Sequence, residues 1–285
     1  MVRTVAATLV SLFLAIPLSA QLAEGDAQWE RRAEGVKGGH AAAERVDAAI
    51  AAYEKAITQS PNDLEPRWKL MRAIRFKGAY VATSADDKKA IYSRAKKVGG
   101  EAIALVGRQI APKGVSIQKG SEKQVADAAR SLPGSAEMFM WDSANWGEWA
   151  LAYGKLAAAR EGAADRIRRS ATIAMLIDPK VEGGGPARVL GRLHDQTPRI
   201  PFITGWASAQ QAVKFLSDAV RLEPSNKTSR LFLAEALVGA NGSSAKAKSV
   251  QMLRELINSP NDPSYAVEDA AAQADARAVL KKWGV

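Results

Sequence analysis

The sequence predicts an all-α fold of helix pairs stacked into an irregular superhelix, an α-solenoid, and three features carry that reading. Ala, Leu, Arg, Lys and Glu dominate segment after segment, with apolar positions three and four residues apart, the period of an amphipathic helix. The alternation of β-branched and aromatic residues that marks strands does not develop. A small–large–small–proline spacing also recurs along the chain, as expected when similar helices are punctuated at related positions.

Taken in order, helices are expected over 43–59, 64–79, 85–110, 122–132, 136–159, 164–177, 187–195, 207–222, 228–238, 244–258 and 266–283. Ser84 with Asp87, and Ser121 with Gln124, place a capping oxygen and its reciprocal group three residues apart, so two starts are signposted. Breaks are expected at Gly99-Gly100, 112–120, 183–186 and 198–205. None is long or polar enough to separate domains, so residues 21–285 read as a single helical domain.

Residues 1–20 read differently. Arg3 is followed by an apolar stretch over 5–16, then Pro17 and the small pair Ser19-Ala20, the order of a cleaved secretory signal peptide. The apolar run is too short for a spanning helix, which needs about 20 residues. Export to the periplasm is therefore expected, with a mature start near Gln21 and no lipid anchor, since no cysteine is present to acylate.

Composition narrows the chemistry. Of 285 residues none is Cys and two are His, which removes disulfides, zinc–thiolate sites and thiol nucleophiles and leaves little for a metal cluster. No nucleophile, base and orienting residue cluster together, so neither an enzyme nor a cofactor is expected. The formal charge of +10 favours acidic partners. Export argues against nucleic acid. Arg67, Lys69, Arg72, Arg75 and Lys77, then Lys88, Lys89, Arg94, Lys96 and Lys97, are mixed with acids and read as a solvated face.

The recurring spacing is Ala49, Tyr53, Ala56, Pro61, then Ile167, Ala171, Ala174, Pro179, then Ala212, Leu216, Ala219, Pro224. Small residues admit a neighbouring helix, the large one fills the groove, and proline ends the helix. This resembles the second helix of a tetratricopeptide repeat (TPR), although Ala171 is small at the bulky position and the prolines are unevenly spaced. In that register Ala219 is tightly packed and Lys227, in the following loop, is exposed. An Ala-rich bundle is the alternative.

A second resemblance lies in the run Met138 to Trp149 (MFMWDSANWGEW), followed by Ile177-Asp178-Pro179, Gly183 to Gly191 (GGGPARVLG) and the Ala212 repeat. This order resembles the T component (TatT) associated with tripartite ATP-independent periplasmic (TRAP) transporters, from about Trp29 to the C-terminus. The resemblance implies a periplasmic helical-repeat protein that docks the transporter's solute-binding subunit and assists transfer of an apolar or amphipathic small ligand, with homo-oligomers within its range. Many members carry a lipid-attachment cysteine, which this chain lacks. A general envelope TPR scaffold is the competing reading.

Few residues stand out as site candidates. At about 100° per residue, Trp141, Asn145, Trp149, Tyr153 and Trp146 fall within about 140° on one helix. Rings at this spacing usually pack as core. The functional alternative is a ligand or partner groove of Trp141, Asn145, Trp146 and Trp149, with Asn145 as its polar contact. Gly183-Gly184-Gly185-Pro186 reads as a tight connection, or as a helix start that receives an anion with Arg188 one turn in. His194 reads as a hydrogen-bonded structural residue and His40 as exposed.

Overall fold

Helix pairs stack in chain order and then return to their beginning. The computed structural model describes residues 18–200 and 204–285. Thirteen α-helices occur among the described residues: α1 (Leu18–Glu30), α2 (Ala43–Gln59), α3 (Glu65–Phe76), α4 (Ala85–Ile110), α5 (Glu122–Ala129), α6 (Ser135–Tyr153), α7 (Lys155–Arg160), α8 (Ala163–Ile177), α9 (Val181–Gln196), α10 (Ala209–Leu222), α11 (Lys227–Asn241), α12 (Ser243–Asn258) and α13 (Ala266–Lys282). No strand occurs among them, and none of their helices is long and apolar enough to cross a membrane. The expected signal peptide falls mostly on residues 1–17, outside the described residues.

α2 and α4 start and stop where the sequence places them, but α4 runs unbroken through Gly99-Gly100, where a break was expected. The Asp87 amide donates to Ser84 Oγ at 3.0 Å, and Ser121 and Gln124 complete a reciprocal capping box. Such caps are each worth about 1 kcal/mol. Other limits differ for local reasons. The helix expected over 136–159 is broken into α6 and α7 because Gly154 adopts φ +86°. α9 starts six residues before the expected 187, with a left-handed break at Glu182 (φ +50°), Gly183 (+58°) and Gly184 (+76°) before Pro186 restarts the regular helix. α1 was not expected: Leu22 and Trp29 pack on a core that includes Val46, Tyr53 and Phe76.

The pairs are α1–α2, α3–α4, α6–α8, α9–α10 and α11–α12, and successive pairs lie side by side. The recurring spacing sits at these contacts. Ala49, Tyr53, Ala56, Ala171, Ala174, Ala212, Leu216 and Ala219 are fully buried. The approach is close enough that a Cβ on Gly191 of α9 would lie 2.5 Å from Leu216 Cγ of α10. Small residues there let the backbones meet, as the spacing required.

The first helix of each pair touches the first helix of the next, from α3 through α6, α9 and α11 to α13. A polar bond crosses each step. Lys69 pairs with Asp26 of α1 at 2.7 Å, Arg75 of α3 with Glu148 of α6 at 2.6 Å, and Arg192 of α9 with Glu235 of α11 at 2.9 Å. Trp141 of α6 donates Nε1–H to Glu182 of α9 at 3.0 Å, and Lys227 of α11 pairs with Asp269 of α13 at 3.0 Å. The last step closes the series: Arg32, after α1, pairs with Glu268 of α13 at 3.0 Å and also donates to the Ser264 carbonyl. Val267 joins the core formed by α2 and α3, and a Cβ on Gly39 would lie 2.8 Å from Ala271 Cα. The superhelix is therefore closed on itself by α13.

Two expectations are corrected, the first by closure. Lys227 is not exposed in a loop; it is the first residue of α11, 3% exposed, and donates to the Pro260 carbonyl at 2.6 Å as well as to Asp269. The basic residues between 67 and 97 are not simply a solvated face either. Lys69 is buried, Lys77 pairs with Asp47, Arg94 with Glu54 and Lys96 with Glu161, while Arg72 lies over the rings of Trp29 and Trp68.

Candidate functional site

α6 is the centre of the molecule, so its aromatic residues are divided among neighbours instead of facing one groove. Gly134, at φ +82°, admits the helix, and α3, α4, α8 and α9 all pack against it. Trp141, half-buried, points to α9 and to the core around Phe139 and Met140. Asn145 is fully buried and donates Nδ2–H to the Met71 carbonyl of α3 at 3.2 Å; its own carbonyl oxygen has no partner among the described residues. With no exposed surface, Asn145 offers no polar contact to an open groove.

Trp146 and Trp149 pack edge to face at 5.6 Å in a cluster with Tyr92, Ala163, Ile167 and Leu193, and Tyr153 stacks on Trp149 at 4.9 Å. Lys96 Nζ lies 4.4 Å from the Trp146 ring centre and 4.0 Å from that of Trp149. A cation over an indole face is worth about 0.5 to 2 kcal/mol. The Lys96–Glu161 pair fixes this contact from outside, at 3.0 Å.

Arg188 is apart from these rings and is used up by its own loop. Its guanidinium donates to the Glu182 carbonyl at 3.2 Å, the Gly183 carbonyl at 3.5 Å and Ser229 Oγ at 3.2 Å. Burial pushes Arg188 below the usual arginine range while Glu182 opposes that shift. Its role is to hold the left-handed turn, where non-glycine Glu182 costs about 1 to 2 kcal/mol of backbone strain. The glycine run is thus a tight connection, and Glu182 links Arg188 to Trp141 through its carbonyl and its carboxylate. His194 accepts the Ser208 amide at Nδ1 (3.2 Å) and stacks on Phe215, and burial followed by Arg168 lowers its pKa, as fits a structural imidazole. His40 is exposed.

Two charged groups escaped the sequence reading. Asp142 sits in the aromatic run yet is fully buried, accepting from Ser170 Oγ at 2.7 Å. Arg166 of α8 lies 5.0 Å over Trp146 and faces Asp142. The one legible signal was an acid between Trp141 and Ser143 inside a run rich in large apolar side chains. Trp146 and Arg166 border an open depression of about 500 Å³ with Ser93, Lys97, Gly100 and Ala104 of α4.

No family model matches the chain, and no curated protein matches its sequence. Among solved structures, it is similar to a thermophilic TPR protein from Thermus thermophilus, with a TM-score of 0.52 over 90% of this chain and 98% of that one. At 16% identity the likeness concerns architecture. The chain has an all-α, TPR-like solenoid fold.

Proposed function

We propose that this chain is a non-enzymatic helical-repeat interaction protein of the periplasm that docks the solute-binding subunit of a TRAP-type transporter and assists transfer of an apolar or amphipathic ligand. The TPR-like stack of helix pairs carries the interaction part of this reading, because repeated pairs present extended surface for a partner. The transporter part rests on the resemblance of 138–149, 177–191 and the Ala212 repeat to TatT. Exposed apolar side chains at the α6–α7 joint support a docking role: Leu151 is 69% and Leu156 66% exposed, with Tyr153 between them.

The test is co-purification of the tagged mature chain with a TRAP-type solute-binding subunit encoded beside it, alone and with Leu151→Asp and Leu156→Asp. Binding by the parent, lost in the variants with unchanged melting, supports docking at this joint. Recovery of unrelated envelope proteins instead favours the general scaffold, which the extent of the likeness to a TPR protein also suits.

A further inference from the structure

His194 joins the end of α9 to the start of α10 through a bond that only a neutral imidazole can make. Its Nδ1 accepts the Ser208 amide at 3.2 Å, which places the ring's own proton on Nε2. Ser208 is the residue that caps α10, accepting the Gln211 amide at Oγ. The connection leading into it is otherwise bonded to itself: Thr204 Oγ1 donates to the Pro198 carbonyl and accepts the Ile200 amide, and the Ala207 amide donates to the Thr204 carbonyl. Among the described residues, the Ser208–His194 bond is the one hydrogen bond that ties the turn at 204–208 to α9.

The ring is enclosed by apolar surface and sees a like charge. It stacks on Phe215 of α10 at 5.6 Å and meets Trp206 edge to face at 5.2 Å. Arg168 of α8 lies 4.8 Å over Trp206 and is paired with Asp165 at 3.4 Å. On α9 itself, Arg192 bonds to Asp195 and to Glu235 of α11, and Lys214 of α10 is exposed. Burial, and then Arg168, hold the imidazole below the usual histidine range. A second proton turns Nδ1 from acceptor to donor, so the Ser208 amide then faces another N–H. The sign follows by linkage. A ring that binds its proton more weakly when latched favours the released form as pH falls below the value of a free imidazole, about 6.5.

Release would reach beyond the turn. Trp206 packs against the cluster of Trp146, Trp149 and Leu193, to which Ala157 and Ala158 of α7 also belong. Its Nε1–H has no partner among the described residues, so packing alone holds the indole there. We propose that His194 is an acid-sensitive latch whose protonation frees the turn at 204–208 from α9 and uncovers the side of the Trp146–Trp149 cluster that Trp206 covers. The latch needs neither the partner nor the ligand of the proposed function.

The experiment is amide hydrogen exchange of the full chain, read at Ser208 by NMR at about pH 7.5 and about pH 5 and corrected for the intrinsic pH dependence of exchange. Ser208 protection should fall about fivefold or more on acidification relative to the amides of α2, which report on the rest of the fold. His194→Asn keeps an acceptor near the position of Nδ1 that does not titrate, so its Ser208 protection should be the same at both pH values. The chain has two histidines, so the His194 ring can also be followed in the parent, and half of the protection should be lost at its titration midpoint. Unchanged protection in the folded parent overturns the proposal. So does an equal loss in folded His194→Asn, or a loss whose midpoint departs from that of the ring, a comparison that stands even where the Asn variant does not fold.

Discussion

Lys227 and Asp269 form a buried ion pair at 3.0 Å between α11 and α13, with side-chain exposures of 3% and 9%. Asp269 also accepts the Asp262 amide at 2.9 Å, and Lys227 donates to the Pro260 carbonyl, so the pair ties the loop before α13 to both helices. Removing one partner leaves the other charge buried and uncompensated, which costs about 3 to 5 kcal/mol. Lys227→Ala should therefore unfold in denaturant far earlier than the parent. A loss within about 0.5 kcal/mol, the usual range for a surface substitution, would place Lys227 in solvent.

Ala219 is fully buried where α10 meets the start of α9, with a Cβ on Gly184 falling 3.4 Å from Ala219 Cα. Ala219→Leu inserts three carbons at that contact. Overpacking of this kind costs about 1 to 3 kcal/mol, and equilibrium denaturation should show it. A neutral outcome would contradict the helix-pair register.

Trp149 and Asn145 test whether α6 is core. Trp149→Ala removes most of a side chain packed against Trp146 and capped by Lys96 and should cost about 3 to 5 kcal/mol. Asn145→Ala loses the bond to the Met71 carbonyl and should cost about 1 to 3 kcal/mol. Thermal melts of the two variants check both values; an unchanged Asn145→Ala melt would mean that its buried bond contributes nothing.

These three sites also show how far the sequence could be read. Local chemistry was legible: Ser84 and Ser121 cap helices as expected, and the triplet Ala212, Leu216, Ala219 lies buried at a pair contact. A helical wheel placed the α6 aromatics on one arc, but it contains no information about how many helices surround that arc. Asn145 therefore turned out to face α3 while Trp141 faces α9. Lys227 was misread for a similar reason. A lysine just after a proline-containing loop is ordinarily solvated, and it is buried here because α13 returns over it. That return depends on pairs such as Arg32 and Glu268, 236 residues apart, which leave no local pattern. α1 was hidden by its overlap with the apolar leader-like segment.

Asp142 carries a pH dependence of defined sign. Burial pushes its carboxyl above the usual carboxylate range, against the pull of Arg166 and Ser170. The folded state then holds this proton to higher pH than the unfolded chain, so Asp142 costs stability progressively as pH rises through that window. Asp142→Asn, which has no proton to lose, should gain on the parent as pH rises from acid to neutral. Urea denaturation across that range checks it; an advantage that does not change with pH would show that Asp142 titrates normally.

Closure of the solenoid by α13 is the feature on which the ring of polar bonds and the burial of Lys227 both depend. The chain contains no cysteine, so a pair introduced as Gly39→Cys and Ala271→Cys reports on this contact alone. A Cβ at position 39 would lie 3.0 Å from that of Ala271, about 0.5 Å short of the separation that disulfides span, about 3.5 to 4.5 Å, so the two backbones must part slightly for the bond to form. Mild oxidation of the folded double variant, followed by non-reducing electrophoresis and peptide mass spectrometry, should give a nearly complete intramolecular crosslink. A double variant that melts like the parent yet keeps both thiols free would contradict a closed superhelix.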